Sequence, residues 1–123
     1  MPLNPVGRTE PRIRILLGSI IAMGPGKADL LDAIQQTGSI SAAARRMNMS
    51  YRRAWLLVDT MNQSFREPLV TTAAGGKGGG GANVTEFGRD MLARYRKMET
   101  RAQLAIADEI SEFGEFLVDS VDH

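Results

Sequence analysis

The sequence predicts a mainly α-helical domain that carries one small β-hairpin. Two short helix patterns follow one another across a tight connection between residues 39 and 63. A glycine-rich loop comes next, flanked by short β-type segments at 68–70 and 83–85. A long stripe of apolar residues at helical spacing fills the last third of the chain. Together these features predict a winged helix-turn-helix followed by a long C-terminal helix.

The chain divides into four predicted segments. With 123 residues, 43% of them hydrophobic, it can bury one modest core. Residues 1–11 contain three prolines and are expected to form a flexible N-terminal arm. Residues 12–85 are the predicted winged helix-turn-helix, 86–118 the long helix and 119–123 a tail.

The domain is expected to begin with one strand and one helix. The β-rich run from Arg12 to Met23 predicts a strand that ends at a Gly-Pro-Gly turn. Leu30, Leu31 and Ile34 lie at helical spacing within a helix over residues 27–36, and Gly38 is placed to end it.

Hydroxyl side chains mark the starts of the next two helices. Ser39 and Ser41 can cap a short helix that runs to residue 47. Asn48, a residue that tolerates a left-handed backbone, stands in the connection. Ser50 can cap the second helix, which we expect to extend to about residue 63.

The final helix is predicted to begin after Thr85, which is placed to cap it. Its apolar stripe runs from Met91 to Leu117 and includes Leu92, Tyr95, Met98, Ala102, Ile106, Ile110 and Phe113. Such a stripe permits pairing with a second apolar surface.

The helix after Ser50 has an apolar arc and a polar arc. The apolar arc contains Ala54, Leu57, Val58, Met61 and Phe65. The opposite arc places Arg52 and Arg53 in the first turn, where a recognition helix contacts bases and phosphates. The alternative is a solvated surface with two ordinary arginines, because exposed arginine is the norm.

Four neighbouring side chains allow two interpretations each. Arg45 and Arg46 end the preceding helix, where they either contact phosphate or complement the helix dipole. Tyr51 and Trp55 border the apolar arc, and we expect them to pack at the core edge rather than stack on bases.

The glycine-rich loop fails the test for a nucleotide-binding P-loop. That motif requires G-x-x-x-x-G-K-[ST], but Gly78 follows Lys77, and Thr71 stands where the first glycine should be. What remains is a backbone-rich tip with one cation, suited to lying against a phosphate backbone or in a groove. A linker without a role is the alternative.

Charge and chemistry narrow the function further. Residues 1–66 carry nine Lys or Arg and four Asp or Glu, a balance of +5, whereas residues 67–123 carry six and ten, a balance of −4. A polyanion would therefore bind to the N-terminal part.

The absence of cysteine and of any apolar run near about 20 residues predicts a soluble cytoplasmic protein without a membrane span. The single histidine is terminal, and no nucleophile–base pair or metal-ligand spacing is visible, so no enzymatic activity and no metal site are predicted.

Four segments together form a specific combination: residues 38–55 (GSISAAARRMNMSYRRAW), 61–63 (MNQ), 72–82 (TAAGGKGGGGA) and 84–88 (VTEFG). In these segments the chain closely resembles the N-terminal DNA-binding domain of the ModE family. Members of that family are molybdate-responsive transcription regulators with a helix-turn-helix related to that of LysR-type regulators. The resemblance extends over roughly residues 12–107.

The resemblance implies a sequence-specific regulator that binds double-stranded DNA as a homodimer on a pseudo-palindromic operator. The stripe residues from Leu92 to Phe113 would then form the dimer contact. The DNA contacts that it implies come from the helix pair and the wing tip and include Ser41, Arg45, Ser50, Tyr51, Arg52, Arg53, Gly76, Lys77, Gly78 and Gly79.

Two departures from the family pattern bear on function. Asn48 stands where the family usually has glycine at the turn. The sequence ends at His123, where full-length members begin a pair of oxyanion-binding domains. We therefore expect no cofactor in this chain, and molybdate binding only in members that carry those domains. One other function stays open from the residues alone, a protein-interaction module that uses the acidic C-terminal helix and binds DNA weakly or not at all.

Overall fold

A computed structural model of the chain describes residues 14–17, 20–73 and 81–118. In these ranges five helices and two antiparallel strand pairs occur, which confirms the mainly α-helical winged helix-turn-helix. The elements are, in chain order, β1 (Ile15–Leu17), β2 (Ile20–Met23), α1 (Pro25–Thr37), α2 (Ile40–Arg46), α3 (Tyr51–Ser64), β3 (Val70–Thr72), β4 (Ala82–Val84), α4 (Glu86–Ala105) and α5 (Ala107–Gly114).

The predicted starts of α2, α3 and α4 are confirmed by capping hydrogen bonds, whereas α1 begins at Pro25, inside the predicted Gly-Pro-Gly turn and two residues before the predicted start. The Ser50 hydroxyl accepts from the Arg53 N–H at 3.1 Å, and the Thr85 hydroxyl accepts from the Gly88 N–H at 2.8 Å. Gly38 ends α1 with a left-handed backbone (φ 74°), and Asn48 adopts φ 58° between α2 and α3. The two hydroxyls satisfy backbone N–H groups that a helix start leaves unpaired, and the two left-handed residues let the chain turn after α1 and α2.

The prediction of one strand over residues 12–23 is wrong, because β1 and β2 are two short strands that pair antiparallel. The pairing joins Leu16 to Ile21 and Leu17 to Ile20. The residues between the strands are Gly18 and Ser19, a turn-favouring pair that the periodicity alone did not separate from the strand.

The core lies where α1, α2 and α3 meet the wing strands and the first half of α4. Its largest fully buried side chains are Tyr95, Leu30, Leu31, Ile34, Met61, Leu69 and Val58. The backbone of α4 approaches the chain before β3 very closely at Gly88, where an added Cβ would lie 2.3 Å from the Leu69 carbonyl oxygen. Glycine is thus required there for lack of space.

An ion-pair cluster ties α4 to α1. The Arg96 guanidinium contacts Asp32 at 2.6 Å, Asp29 at 3.1 Å and Glu99 at 3.3 Å. Partial burial lowers the pKa of Arg96, but the hydrogen bonds and charges of Asp32 and Asp29 outweigh it and raise the pKa above its ordinary value. Arg96 therefore stays charged and holds the middle of α4 against α1.

The single long helix predicted over residues 86–118 is interrupted at Ile106, which has φ −117° and ψ 20° and separates α4 from α5. The buried side chains of α4 end at Tyr95, so the core does not hold the later turns. No helix in the described ranges is both long and apolar enough to span a lipid bilayer.

Candidate nucleic-acid interface

Helix α3 presents its polar arc to solvent as predicted. Ala54, Val58 and Met61 are buried, whereas Arg52 and Arg53 are exposed in the first turn. The Ser50 hydroxyl caps this helix, so it fixes the direction in which the first turn and its two arginines project. The face that a recognition helix would offer to DNA is therefore free of contacts with the core.

Helix α2 adds exposed cations beside α3. Arg45 is exposed, and its guanidinium lies 3.4 Å from the hydroxyl of the half-buried Ser41. Arg46 donates to the Gln36 side chain of α1, which holds it toward that helix. Arg45 thus lies beside Ser41, while Arg46 is bonded to α1.

Asn62 fixes the wing to α3. Its Oδ1 accepts from the backbone N–H groups of Leu69 at 2.8 Å and Val70 at 3.2 Å, and its Nδ2 donates to the Val70 carbonyl oxygen at 3.0 Å. These three bonds replace the strand partner that the start of β3 would otherwise need. The orientation of the wing therefore follows the orientation of α3.

A second hydrogen bond joins the wing to the junction between α1 and α2. The Ala82 N–H donates to the Gly38 carbonyl oxygen at 2.9 Å, at the residue that ends α1 and precedes the Ser39 cap of α2. β3 and β4 then pair in register from Val70 with Val84 to Thr72 with Ala82. Helices and wing base form one connected unit.

Tyr51 and Trp55 are not packed at the core edge, contrary to the prediction from the helical wheel. Tyr51 is 53% exposed and Trp55 is 36% exposed. The Trp55 Nε1–H donates a hydrogen bond to the Tyr51 hydroxyl one turn earlier in α3. The two rings are thus held by each other on the surface, next to the arginines.

These two rings line an open depression of about 350 Å³ between α3, the start of α2 and the base of the wing. Its other walls come from Ser39, Ser41, Thr72 and the backbone around Gly81. Four of its lining residues carry hydroxyl groups: Ser39, Ser41, Tyr51 and Thr72. In a winged helix-turn-helix, a DNA strand passes between the recognition helix and the wing, which is the position of this depression.

The wing-tip residues of the prediction, Gly76, Lys77, Gly78 and Gly79, lie outside the described residues. Of the other predicted contact residues, Ser41 and Tyr51 line one depression, Arg45 lies beside Ser41, and Arg52 and Arg53 are exposed in the first turn of α3. Ser50 caps that helix.

The predicted dimer residues fall into two groups. Leu92 and Tyr95 are buried in the protomer's own core, which removes them from any surface that could meet a second copy. Ala102 and Ile110 are half-buried, and Met98, Ile106 and Phe113 are exposed. The apolar stripe thus packs in the core up to Tyr95 and lies at the surface beyond it, because only the first turns of α4 reach the core.

Sequence reasoning missed three features of the site. Asn62 was noted only within a family motif, and no periodicity marks a side chain that bonds to a later strand. The carbonyl of Gly38 and the hydroxyl of Thr72 gave no signal either. The Tyr51–Trp55 pair did carry one, since residues four apart on a helix are neighbours.

The helix pair, its exposed arginines and the attached wing define a DNA-binding protein of the winged helix-turn-helix class. Residues 27–89, slightly more than half of the chain, match the bacterial regulatory helix-turn-helix proteins of the lysR family. The chain belongs to this family. It is a class of transcription regulators, which is not a class of enzymes.

Individual relatives carry names linked to molybdenum. The chain is 44% identical over 91 residues to the molybdenum transport protein ModE of Azotobacter vinelandii. The alignment covers 74% of this chain and 33% of that protein. It is 49% identical over 77 residues to the molybdenum-pterin-binding protein MopB of Rhodobacter capsulatus. That alignment covers 63% of this chain and 28% of MopB.

A third relative is the DNA-binding transcriptional dual regulator ModE of Escherichia coli K12, with 42% identity over 71 residues, covering 58% of this chain and 27% of the regulator. These alignments confirm the resemblance found from the motifs. In each case the matched part spans a third or less of the relative's length.

Proposed function

We propose that the protein is a sequence-specific transcription regulator that binds a pseudo-palindromic operator as a homodimer. One observation carries this proposal: α3 exposes Arg52 and Arg53 at its start while its opposite face is buried. In such a protein α3 enters the major groove, and the wing follows the flanking backbone. Arginine in the first turn can pair bidentately with guanine or neutralise a phosphate.

Dimerisation is supported by the later turns of the C-terminal helices. Beyond Tyr95 the apolar side chains of α4 and α5 are exposed or half-buried, and Leu104 and Phe113 are 76% and 67% exposed. A second copy would cover this surface, and a two-fold pair would set two α3 helices about one helical turn of DNA apart. Residues 12–85 would then read DNA, and residues 86–118 would join the protomers.

A link to molybdenum metabolism follows from the names of the relatives, and we extend it to the regulated genes of this protein. We expect the oxyanion itself to bind outside these 123 residues. Calorimetry with molybdate should show no binding tighter than the millimolar range. Micromolar binding to this chain would contradict that part of the proposal.

The decisive experiment selects binding sites from a pool of random duplexes with purified protein. We expect an enriched, inverted-repeat site with half-sites spaced by about one helical turn or a multiple of it. Affinity for that site should fall steeply with salt, because bound arginines release counterions from DNA. No enrichment together with a flat salt response would overturn the proposal and favour the protein-interaction module.

A further inference from the structure

We infer that Trp55 positions the Tyr51 hydroxyl as a hydrogen-bond donor to a phosphodiester oxygen of the bound DNA strand. The contact lies in the depression between α3 and the wing base. It rests on the proposed DNA-binding function, specifies the group that Tyr51 would contact and assigns a positioning role to Trp55.

The geometry of the pair fixes the direction of one proton. The Trp55 Nε1–H donates to the Tyr51 hydroxyl oxygen, so that oxygen uses a lone pair as acceptor. The phenolic proton must then point away from the indole. An accepted hydrogen bond also polarises the hydroxyl and strengthens it as a donor. The pair is therefore arranged to hydrogen-bond an acceptor outside the helix.

The chemistry of the depression selects an anion that accepts hydrogen bonds from neutral donors. Side-chain hydroxyls of Ser41 and Thr72 line it with Tyr51. Arg45, whose guanidinium lies 3.4 Å from the Ser41 hydroxyl, supplies positive charge at the rim. Hydroxyl groups beside a guanidinium match a singly charged phosphodiester, whose oxygens accept hydrogen bonds and which carries no donor.

The position of the depression favours the sugar-phosphate strand over a base. Its walls are α3 on one side and Thr72, Ala73 and Gly81 at the wing base on the other. The arginines on the neighbouring arc of α3 point to the major groove in the proposed complex. The strand that separates this groove from the wing then passes over the Tyr51 ring. A phosphate contact here sets the register in which Arg52 and Arg53 meet the bases.

The test uses Tyr51→Phe and Trp55→Phe in the full chain, on the selected operator. Tyr51→Phe should weaken binding about tenfold, as expected for a lost hydrogen bond to a charged group. Trp55→Phe should weaken it about threefold through loss of orientation and polarisation. The double variant should resemble Tyr51→Phe alone, since Trp55 acts through that hydroxyl. Tyr95→Phe, the same change on the other tyrosine, is the matched control and should bind normally.

Two readouts separate this role from a merely structural one. The slope of log affinity against log salt should stay unchanged in Tyr51→Phe, because a neutral donor releases no counterion, whereas removal of an arginine that contacts phosphate should reduce the slope by about 0.9. Single methylphosphonate substitutions along the operator should reveal one phosphate per half-site whose neutralisation weakens the wild type but not Tyr51→Phe.

The single tryptophan gives a spectroscopic signature. Its indole N–H resonance should shift in Tyr51→Phe and again when the wild type binds DNA. Normal operator affinity of Tyr51→Phe, or additive losses in the double variant, would overturn the inference while leaving the proposed function intact. A wild type that binds no duplex would overturn both.

Discussion

Asn62 and Val70 exchange two hydrogen bonds, one from the Asn62 Nδ2 to the Val70 carbonyl oxygen and one from the Val70 N–H to the Asn62 Oδ1. Asn62 lies near the end of α3, and Val70 begins β3. One side chain thus joins the proposed recognition helix to the wing, which would contact the DNA backbone. Changes at this joint are expected to affect stability and DNA binding together.

Asn62→Ala should lower the free energy of unfolding by about 1–3 kcal/mol, because it leaves backbone groups of Leu69 and Val70 without their partner. Operator affinity should fall as well, since the wing loses its hydrogen bonds to α3. Denaturant unfolding and a duplex titration measure the two effects. Gln63→Ala is the control: its amide donates only along α3, to Asp59 at 3.1 Å, and stability should change by less than about 0.5 kcal/mol. Equal stability of both variants would contradict the prediction.

Gly88→Ala should destabilise the domain by about 1–3 kcal/mol, as overpacking does. The new Cβ would lie 2.3 Å from the Leu69 carbonyl oxygen and 2.9 Å from the Val84 Cγ1, so α4 would have to move away from the wing. Gly26→Ala is the matched control, because nothing lies within 4 Å of its added Cβ. That variant should be as stable as the wild type or up to about 1 kcal/mol more stable. Thermal unfolding of both variants measures these effects, and a Gly88→Ala variant as stable as Gly26→Ala would contradict the prediction.

Arg52→Ala and Arg53→Ala should each weaken operator binding. Loss of an arginine that reads a base edge should also relax specificity at one position by about 1–3 kcal/mol. Loss of an arginine that contacts phosphate should weaken binding to all sequences alike. Titrations against the operator and single-base variants distinguish the two. Arg101→Ala, an exposed arginine of α4, is the control and should bind almost normally. Normal binding by both α3 variants would show that α3 is not the recognition helix.

Arg96→Gln should reduce stability by about 0.2–1 kcal/mol, because its ion pairs with Asp29 and Asp32 are partly exposed to solvent. The folded pKa of Arg96 is raised, so its contribution is complete below the unfolded pKa and is lost only as pH rises through the folded value. Both lie above the range in which the protein is handled. Unfolding at about pH 6 and about pH 9 should therefore give the same difference between variant and wild type; a difference that vanishes at about pH 9 would contradict this.

In the proposed homodimer, Phe113→Asp should favour the monomer with little change in the stability of the domain, because this side chain is 67% exposed. Leu92→Ala should instead affect the stability of the domain. It should lower stability by about 2–5 kcal/mol, since Leu92 is buried in the protomer core. Sedimentation over a range of concentrations, followed by unfolding, separates the two effects. A Phe113→Asp variant that remains dimeric would place the dimer contact elsewhere.

The starts of α2, α3 and α4 could be predicted residue by residue because capping is local. Ser39, Ser50 and Thr85 each bond to an N–H three residues later, and Gly38 and Asn48 take up left-handed backbone where the chain turns. Amphipathic spacing likewise predicted which side of α3 is buried. Such features depend on neighbours within one turn of helix, so they can be read without knowledge of the fold.

Other features required the tertiary structure, since they depend on which distant surfaces meet. The bond between Asn62 and β3 spans a connection whose path the sequence does not specify. Tyr51 and Trp55 lie on the border of an arc, and only the position of the wing decides that they face a depression instead of the core. The stripe of α4 and α5 is continuous in sequence, yet Leu92 and Tyr95 are buried while Phe113 is exposed, because the core ends where α1 no longer covers the helix. Periodicity identifies an apolar face, but the partner of that face is chosen by packing.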